Sequence, residues 1–227
     1  MSIVSPKFPK YRAIIFDMDG TLLDTIEDIA AAMNRVLAAR SLPTFDVEAY
    51  KTLVGEGAEE LVRKVFGRRP PNESQLASAL RDYRREYELC WRSHSRPYPG
   101  IPELLRELAR RRVRTAVLSN KPQAFTEVMA EELLAPHAFD AVRGAAPGVP
   151  LKPDPAPALA IASELDVPPA SIVFLGDTKI DIKTAAAAGM LPVGALWGFR
   201  TADELRASGA AALAASPLDL LPYFPAA

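Results

Sequence analysis

The sequence predicts an α/β fold, a doubly wound parallel sheet with an inserted α-helical domain. Three observations carry this expectation. Ala13-Ile14-Ile15-Phe16, Ala116-Val117-Leu118 and Ile172-Val173-Phe174-Leu175 are apolar runs without alternation, as strands covered on both faces require. Helical patterns lie between them, which implies βαβ units. One interval of about seventy residues after the first run holds no convincing strand and reads as helix throughout.

The elements follow in chain order. The first run stops at Asp17. Thr25-Ile26-Glu27-Asp28 resembles an N-cap with an acidic first turn, and Ile26, Ile29, Met33, Val36 and Leu37 then share one helical face. Residues 58–66 carry the stripe Leu61, Val62, Val65 and Phe66, and a further helix is expected over 73–91, separated from the last by Pro70-Pro71. The chain returns through Arg96-Pro97-Tyr98-Pro99-Gly100. Helices at 101–112, 123–134, 155–165, 181–188 and 201–208 then alternate with the remaining strands, including weaker candidates at 139–142 and 192–196. Residues 1–24 and 96–227 thus read as a sheet domain, and 25–95 as a helical insertion.

Composition narrows the classes. Of 227 residues, 49% are hydrophobic and 24% charged, so the chain has the material for a core. The 27 Lys and Arg balance 28 Asp and Glu, leaving no global field for a nucleic acid or an anionic membrane. Cys90 has no companion for a disulfide and reads as a small buried hydrophobe in a reducing compartment. Residues 1–10 lack the apolar run of a signal peptide, and the charge-free stretch 185–199 is broken by glycine and proline, so a cytoplasmic protein is expected. Arg110-Arg111-Arg112 reads as a solvated helix end, and His94 and His137 receive no catalytic role. Monomer and homodimer are not distinguished.

The informative feature is where polar residues interrupt the apolar runs. Ligands of open parallel sheets bind beyond the carboxyl ends of strands, and Asp17, Asp19, Ser119 and Asp177 occupy such ends. Lys152 lies in a rigid Pro- and Gly-rich loop. In Asp17-Met18-Asp19-Gly20-Thr21, carboxylates at i and i+2 of an extended segment project to one side, and Gly20 lets main-chain N–H groups approach an anion. Taken alone the segment is equally a turn or a calcium loop. Asp177 and Asp181 form a second acidic pair at i and i+4, which either caps a helix or binds metal. Together with Asp17 they make a hard-oxygen set that suits Mg²⁺.

Asp17-Met-Asp-Gly-Thr-Leu22, Leu118-Ser119-Asn120-Lys121, Lys152-Pro153 and Gly176-Asp177-Thr-Lys-Ile-Asp181 resemble, in order, the four motifs of the haloacid dehalogenase superfamily. Leu53-Val54-Gly55-Glu56-Gly57-Ala58, Tyr98-Pro99-Gly100 and the run from Asp181 to Met190 narrow the resemblance to its phosphoglycolate phosphatase-like members, which have a Rossmann-like core and a helical cap.

The resemblance implies a Mg²⁺-dependent phosphatase of a small phosphorylated metabolite, with Asp17 as nucleophile and Asp19 as general acid and base. Asp17, the main-chain carbonyl of Asp19 and Asp177 would hold the metal, with Asp181 ligating through water or orienting the other ligands. Ser119 and Lys152 would hold the phosphoryl oxygens, with Met18, Gly20 and Asn120 offering backbone N–H groups. Thr21 and the cap residues Gly55, Glu56 and Gly57 complete the expected substrate site. Asp19 disfavours the dehalogenase branch. The phosphomutase branch usually carries a basic cap-loop residue, which Gly55-Glu56-Gly57-Ala58 lacks, although Lys51, Arg63 or Lys64 could stand in. A non-catalytic phosphate-binding protein is the reading from a different class, and it has no need of both Asp17 and Asp19.

Overall fold

The computed structural model describes residues 11–67 and 70–226. β1 (Ala13–Phe16) and the short β2 (Leu23–Asp24) are followed by helices α1 (Ile26–Ala38), α2 (Val47–Leu53), α3 (Ala58–Val65) and α4 (Glu73–Cys90). β3 (Arg96–Pro97) leads back to α5 (Ile101–Arg110), β4 (Arg114–Pro122), α6 (Gln123–Leu133), β5 (Ala141–Ala145) and α7 (Ala156–Glu164). β6 (Ile172–Gly176), α8 (Lys179–Ala187), β7 (Leu191–Ala195), α9 (Ala202–Ala207) and β8 (Ala212–Ala214) complete the order, with 3₁₀ turns at Pro169–Ser171 and Pro217–Tyr223.

Six strands form a parallel sheet in the order β5-β4-β1-β6-β7-β8. The fold is therefore the expected doubly wound α/β class. The absence of alternation in the strands has a direct cause. Ile14, Phe16, Val117, Val173 and Leu175 enter the apolar cluster on one face of the sheet, while Ala13, Ile15, Ala116, Leu118, Ile172 and Phe174 enter the cluster on the other. Both faces are dry, so both sets are apolar.

The run of helices that follows β2 begins and ends at one point. β2 and β3 pair antiparallel, Leu23 with Pro97 and Asp24 with Arg96, so the outgoing and returning chains lie side by side. Asp28 secures the same junction. It is fully buried and accepts hydrogen bonds from the His94 and Ser95 amides and from Ser95 Oγ. Above the junction α1 packs on α2 and α4, and α3 on α4, around an apolar cluster continuous with the sheet.

Several boundaries differ from the sequence expectation. β4 runs on through Ser119, Asn120 and Lys121, because the extended backbone persists after the apolar residues stop. The weak strand expected at 139–142 lies two to three residues later, at Ala141–Ala145. β2, β3 and the alanine-rich β8 are too short to show a period. Of the arginine run, Arg110 is an exposed partner of Glu107, whereas Arg111 also donates to Leu221 O and fastens the C-terminal 3₁₀ turn to α5. Cys90 is buried as expected. Among the described residues no helix is long and apolar enough to cross a membrane. The expectation about residues 1–10 lies outside the described residues.

Candidate active site

The site grows from the carboxyl ends of β1, β4 and β6. The Asp17 amide still donates to Leu175 O of β6, at 2.9 Å, so the sheet fixes its backbone. The chain then turns sharply, with the Thr21, Leu22 and Leu23 amides all directed at Met18 O. Gly20 permits this turn. Its φ is +84°, and a Cβ there would lie 2.4 Å from Asp177 Oδ2.

Lys152 joins two carboxylates. Its ammonium, buried in the crevice, lies 2.7 Å from Asp17 Oδ1 and 2.6 Å from Asp181 Oδ1. Asp181 Oδ2 accepts from Thr178 N and Oγ1 at 3.0 and 2.7 Å. One oxygen thus steadies the start of α8, as the capping reading expects, and the other faces Lys152 and the cluster. α8 begins at Lys179, which leaves Asp177 ahead of the helix. Asp177 is held from elsewhere, by Thr21 Oγ1 at 3.2 Å and by the Phe199 amide at 2.7 Å.

Asp17, Asp177 and Asp181 each offer an oxygen within 4.8 Å of the others. Such crowding is costly without a counter-charge. Burial, then the Asp181 charge, push Asp17 up to about 7 in spite of Lys152. Burial and the charges of Asp181 and Asp17 likewise raise Asp177 well above the carboxylate range. Burial alone would lower Lys152, but Asp17 and Asp181 overcome it and raise its pKa. Three buried hard-oxygen donors in mutual repulsion fit a divalent cation, whose charge would relieve it. The Asp19 carboxylate lies outside this cluster, in keeping with the resemblance, which assigned the metal only its main-chain carbonyl.

The Asp19 carboxylate faces the helical side. It accepts from Thr25 Oγ1 at 2.7 Å and from Lys121 Nζ at 3.0 and 3.2 Å. Thr25 does occupy the N-cap position of α1, but its φ and ψ of −116° and 0° give no side-chain cap, and its hydroxyl serves Asp19 instead. Lys121 is buried, with its ammonium 4.4 Å from the Tyr87 ring centroid. The sequence displayed Lys121 beside Ser119 but gave no sign of this partnership, which spans 102 positions.

The remaining expected residues divide into two groups. Ser119 and Asn120 line the cavity over Asp17, with Ser119 Oγ accepting from the Lys121 amide. The Asn120 side chain bonds Lys152 through both backbone groups and reaches Gly55 O at 3.2 Å, so it joins three loops. Gly55 and Gly57 also line the cavity. Glu56 does not join them: its carboxylate pairs with Lys64 at 3.2 Å and Lys179 at 3.5 Å, because these cations flank its loop. Thr21 and Met18 are fully buried, and the Thr21 hydroxyl holds Asp177 instead of facing the cavity.

The helical wall was not legible from motifs. It is formed by Ile29, Val54, Leu61, Tyr83 and Tyr87, with Phe125 of α6 opposite and Arg84 exposed at its edge. Tyr83 stacks on Tyr87, which meets Phe125 edge-on. Lys51, Arg63 and Lys64, the cap cations available for a second phosphate, pair instead with Glu48, Glu59 and Glu56.

Fold and site together define a doubly wound α/β enzyme with paired buried charges at the ends of its central strands. The model of the haloacid dehalogenase-like hydrolases matches residues 11–189. A phosphoglycolate phosphatase of Pseudomonas putida is 32% identical over 196 residues, covering 83% of this chain and 70% of that protein. An N-acetylmuramic acid 6-phosphate phosphatase of the same organism is also 32% identical, over 219 residues that cover 93% and 95%. A solved structure from Lactobacillus delbrueckii subsp. bulgaricus that carries a phosphoglycolate phosphatase name superposes with a TM-score of 0.88 at 30% identity, covering 93% and 97% of the two chains. The chain belongs to the haloacid dehalogenase-like hydrolase family, and within it is a phosphatase of phosphoric monoesters.

Proposed function

We propose that the chain is a Mg²⁺-dependent cytoplasmic phosphatase of a small phosphorylated metabolite, 2-phosphoglycolate or a similar acid or sugar phosphate, with residues 25–95 as its cap. One observation carries this reading: Asp17 and Asp19 line the same cavity but have separate partners, Lys152 for one and Thr25 with Lys121 for the other. Two carboxylates in different surroundings can perform two roles.

In this reading an Asp17 oxygen attacks phosphorus, the bond to the leaving oxygen breaks, and Asp19 gives that oxygen a proton. Asp19 then takes a proton from water as it attacks the aspartyl-phosphate, and phosphate leaves. Lys152 and Ser119 stabilise the transferring phosphoryl oxygens, with backbone N–H groups at Met18 and Asn120; the Gly20 amide, expected to join them, donates instead to Leu23 O at 2.8 Å, because the turn after β1 folds back on itself there. Asp17, Asp177, Asp181 and the Asp19 carbonyl would hold Mg²⁺, which when bound neutralises negative charge on the carboxylates and the phosphoryl group. Asn120 ties the Lys152 loop to Gly55, so the catalytic lysine and the cap loop share one support. The relatives at 32% identity are named for different substrates, both phosphomonoesters that also bear a carboxylate, so identity does not choose between them.

Phosphate release from a panel of phosphomonoesters, with Mg²⁺ or EDTA, tests the proposal. Turnover that requires added metal and stops in Asp17→Asn is expected. Undiminished turnover in EDTA overturns the metal assignment, and conversion to an isomeric phosphate ester without release favours a phosphomutase.

A further inference from the structure

The charges that face the cavity are almost all matched. Asp17 is paired with Lys152, and Asp19 with Lys121. Arg84, midway along α4, is the exception. It lines the same cavity, is exposed, and among the described residues its guanidinium has neither an ion pair nor a hydrogen bond. Its neighbours on the helix behave otherwise: Asp82 pairs with Arg40, and Arg85 with Asp82 and Glu86.

This asymmetry bears on the substrate. A leaving group with its own negative charge enters a cavity whose two carboxylates, Asp17 and Asp19, already hold the lysines beside them. Lys121 cannot pair with the leaving group without leaving Asp19, nor Lys152 without leaving Asp17. Arg84 can, and its planar fork matches a carboxylate through two parallel hydrogen bonds. The surrounding Ile29, Leu61, Tyr83 and Phe125 are hydrocarbon and aromatic, which strengthens a charge pair and offers little to a bare polyol. Arg84 is carried by α4 and Asp17 by the end of β1, so the two reach the shared cavity from different elements, and Arg84 is assigned to the part of the substrate remote from phosphorus.

We infer that Arg84 is the specificity-determining residue of this phosphatase and that it reads a carboxylate on the leaving group, so that the substrate is a phosphorylated carboxylic acid. The inference rests on the phosphatase reading above. It also assigns Arg84 a different kind of role from Lys152: it contributes to capture and orientation of the ester, and nothing to the electrostatics at phosphorus.

Matched esters that differ in the carboxylate test it: 2-phosphoglycolate against 2-hydroxyethyl phosphate, 3-phosphoglycerate against glycerol 3-phosphate, and N-acetylmuramic acid 6-phosphate against N-acetylglucosamine 6-phosphate. The wild-type protein is expected to prefer the acid in the pair that contains its best substrate. Arg84→Ala should lower kcat/KM for that acid by about 10- to 100-fold, mainly through KM, and lose far less on the carboxyl-free partner. Arg84→Lys should recover part of the loss, and Arg81→Ala, on the same helix but outside the cavity wall, should leave the preference in place. A wild-type preference for the carboxyl-free ester, or equal losses on both members in Arg84→Ala, overturns the inference while leaving a working phosphatase. Absence of turnover on every ester, p-nitrophenyl phosphate included, overturns the phosphatase reading and this inference with it.

Discussion

The sheet side and the helical side of the cavity handle charge differently. On the sheet side every buried carboxylate has assigned partners: Asp17 has Lys152, Asp181 has Lys152 and Thr178, and Asp177 has Thr21 and the Phe199 amide. On the helical side the surface is mostly apolar, and Arg84 has no partner among the described residues. Chemistry at phosphorus needs groups fixed before the substrate arrives, because reorganising them would cost rate. Selection of a leaving group needs the reverse, a surface whose polar bonding is completed only by the correct ligand. Asp19 joins the two sides, since its backbone belongs to the β1 turn and its carboxylate to Thr25 and Lys121.

Replacing the most constrained group should have the largest effect. Asp17→Asn is expected to reduce turnover by at least about 10³-fold while the protein stays folded, since the amide is isosteric but no nucleophile. It should also change the pH dependence of metal-free stability. Asp17 is raised to about 7 in the fold, so the folded state holds a proton that the unfolded chain releases near pH 4. The corresponding stability is present in full below pH 4 and is lost as pH rises through 7. Thermal melts in EDTA should therefore show Tm falling between pH 5 and 8, and falling less in Asp17→Asn. A wild-type Tm that climbs over that interval contradicts the assignment of a repelled, buried Asp17.

Lys152→Ala comes next. The loss of one preorganised cation should reduce kcat about 10²- to 10³-fold and, in EDTA, lower Tm by leaving Asp17 and Asp181 without a counter-charge. A rate near wild type would place Lys152 among structural residues alone. Thr25→Val probes the group that bridges the two sides. It removes a 2.7 Å hydrogen bond from Asp19 and should reduce turnover of an alkyl phosphate about tenfold, with a smaller loss for p-nitrophenyl phosphate, whose leaving oxygen needs no acid. Equal losses on the two esters would show that Thr25 does not position the acid.

The smallest effect is expected at the cap loop. Gly57 has φ +91°, and a Cβ there would stand 3.5 Å from Asn120 O, so Gly57→Ala fits sterically but strains the backbone by about 1–2 kcal/mol. A change in kcat/KM of roughly two- to fivefold should follow, with a reordering of the ester panel as the loop shifts against the strand ends. An unchanged ranking in a variant that melts like wild type would assign selection to the wall residues alone.

Much of this was legible because the strands are buried on both faces and end abruptly. Apolar runs that stop at Asp17 and at Asp177 show that a parallel sheet delivers those side chains to one crevice, and covalent order supplies the spacing. The sequence by itself therefore determined the fold class, the run of helices after the first strand and the acidic residues at the strand ends. Only the tertiary structure decided the partnerships. Thr25 reads as a helix cap until Asp19 is seen beside it, Glu56 as a cap-loop contact until Lys64 and Lys179 claim it, and Arg84 as one more solvated arginine until the cavity passes beneath it. The Phe199 amide, which steadies Asp177, leaves no trace in sequence, because every residue but proline carries the same donor. Local patterns record which face of a strand or helix must be dry. Which side chains then meet depends on residues far apart in sequence, such as Lys121 and Asp19, 102 positions apart, and on a chain path that no local period encodes.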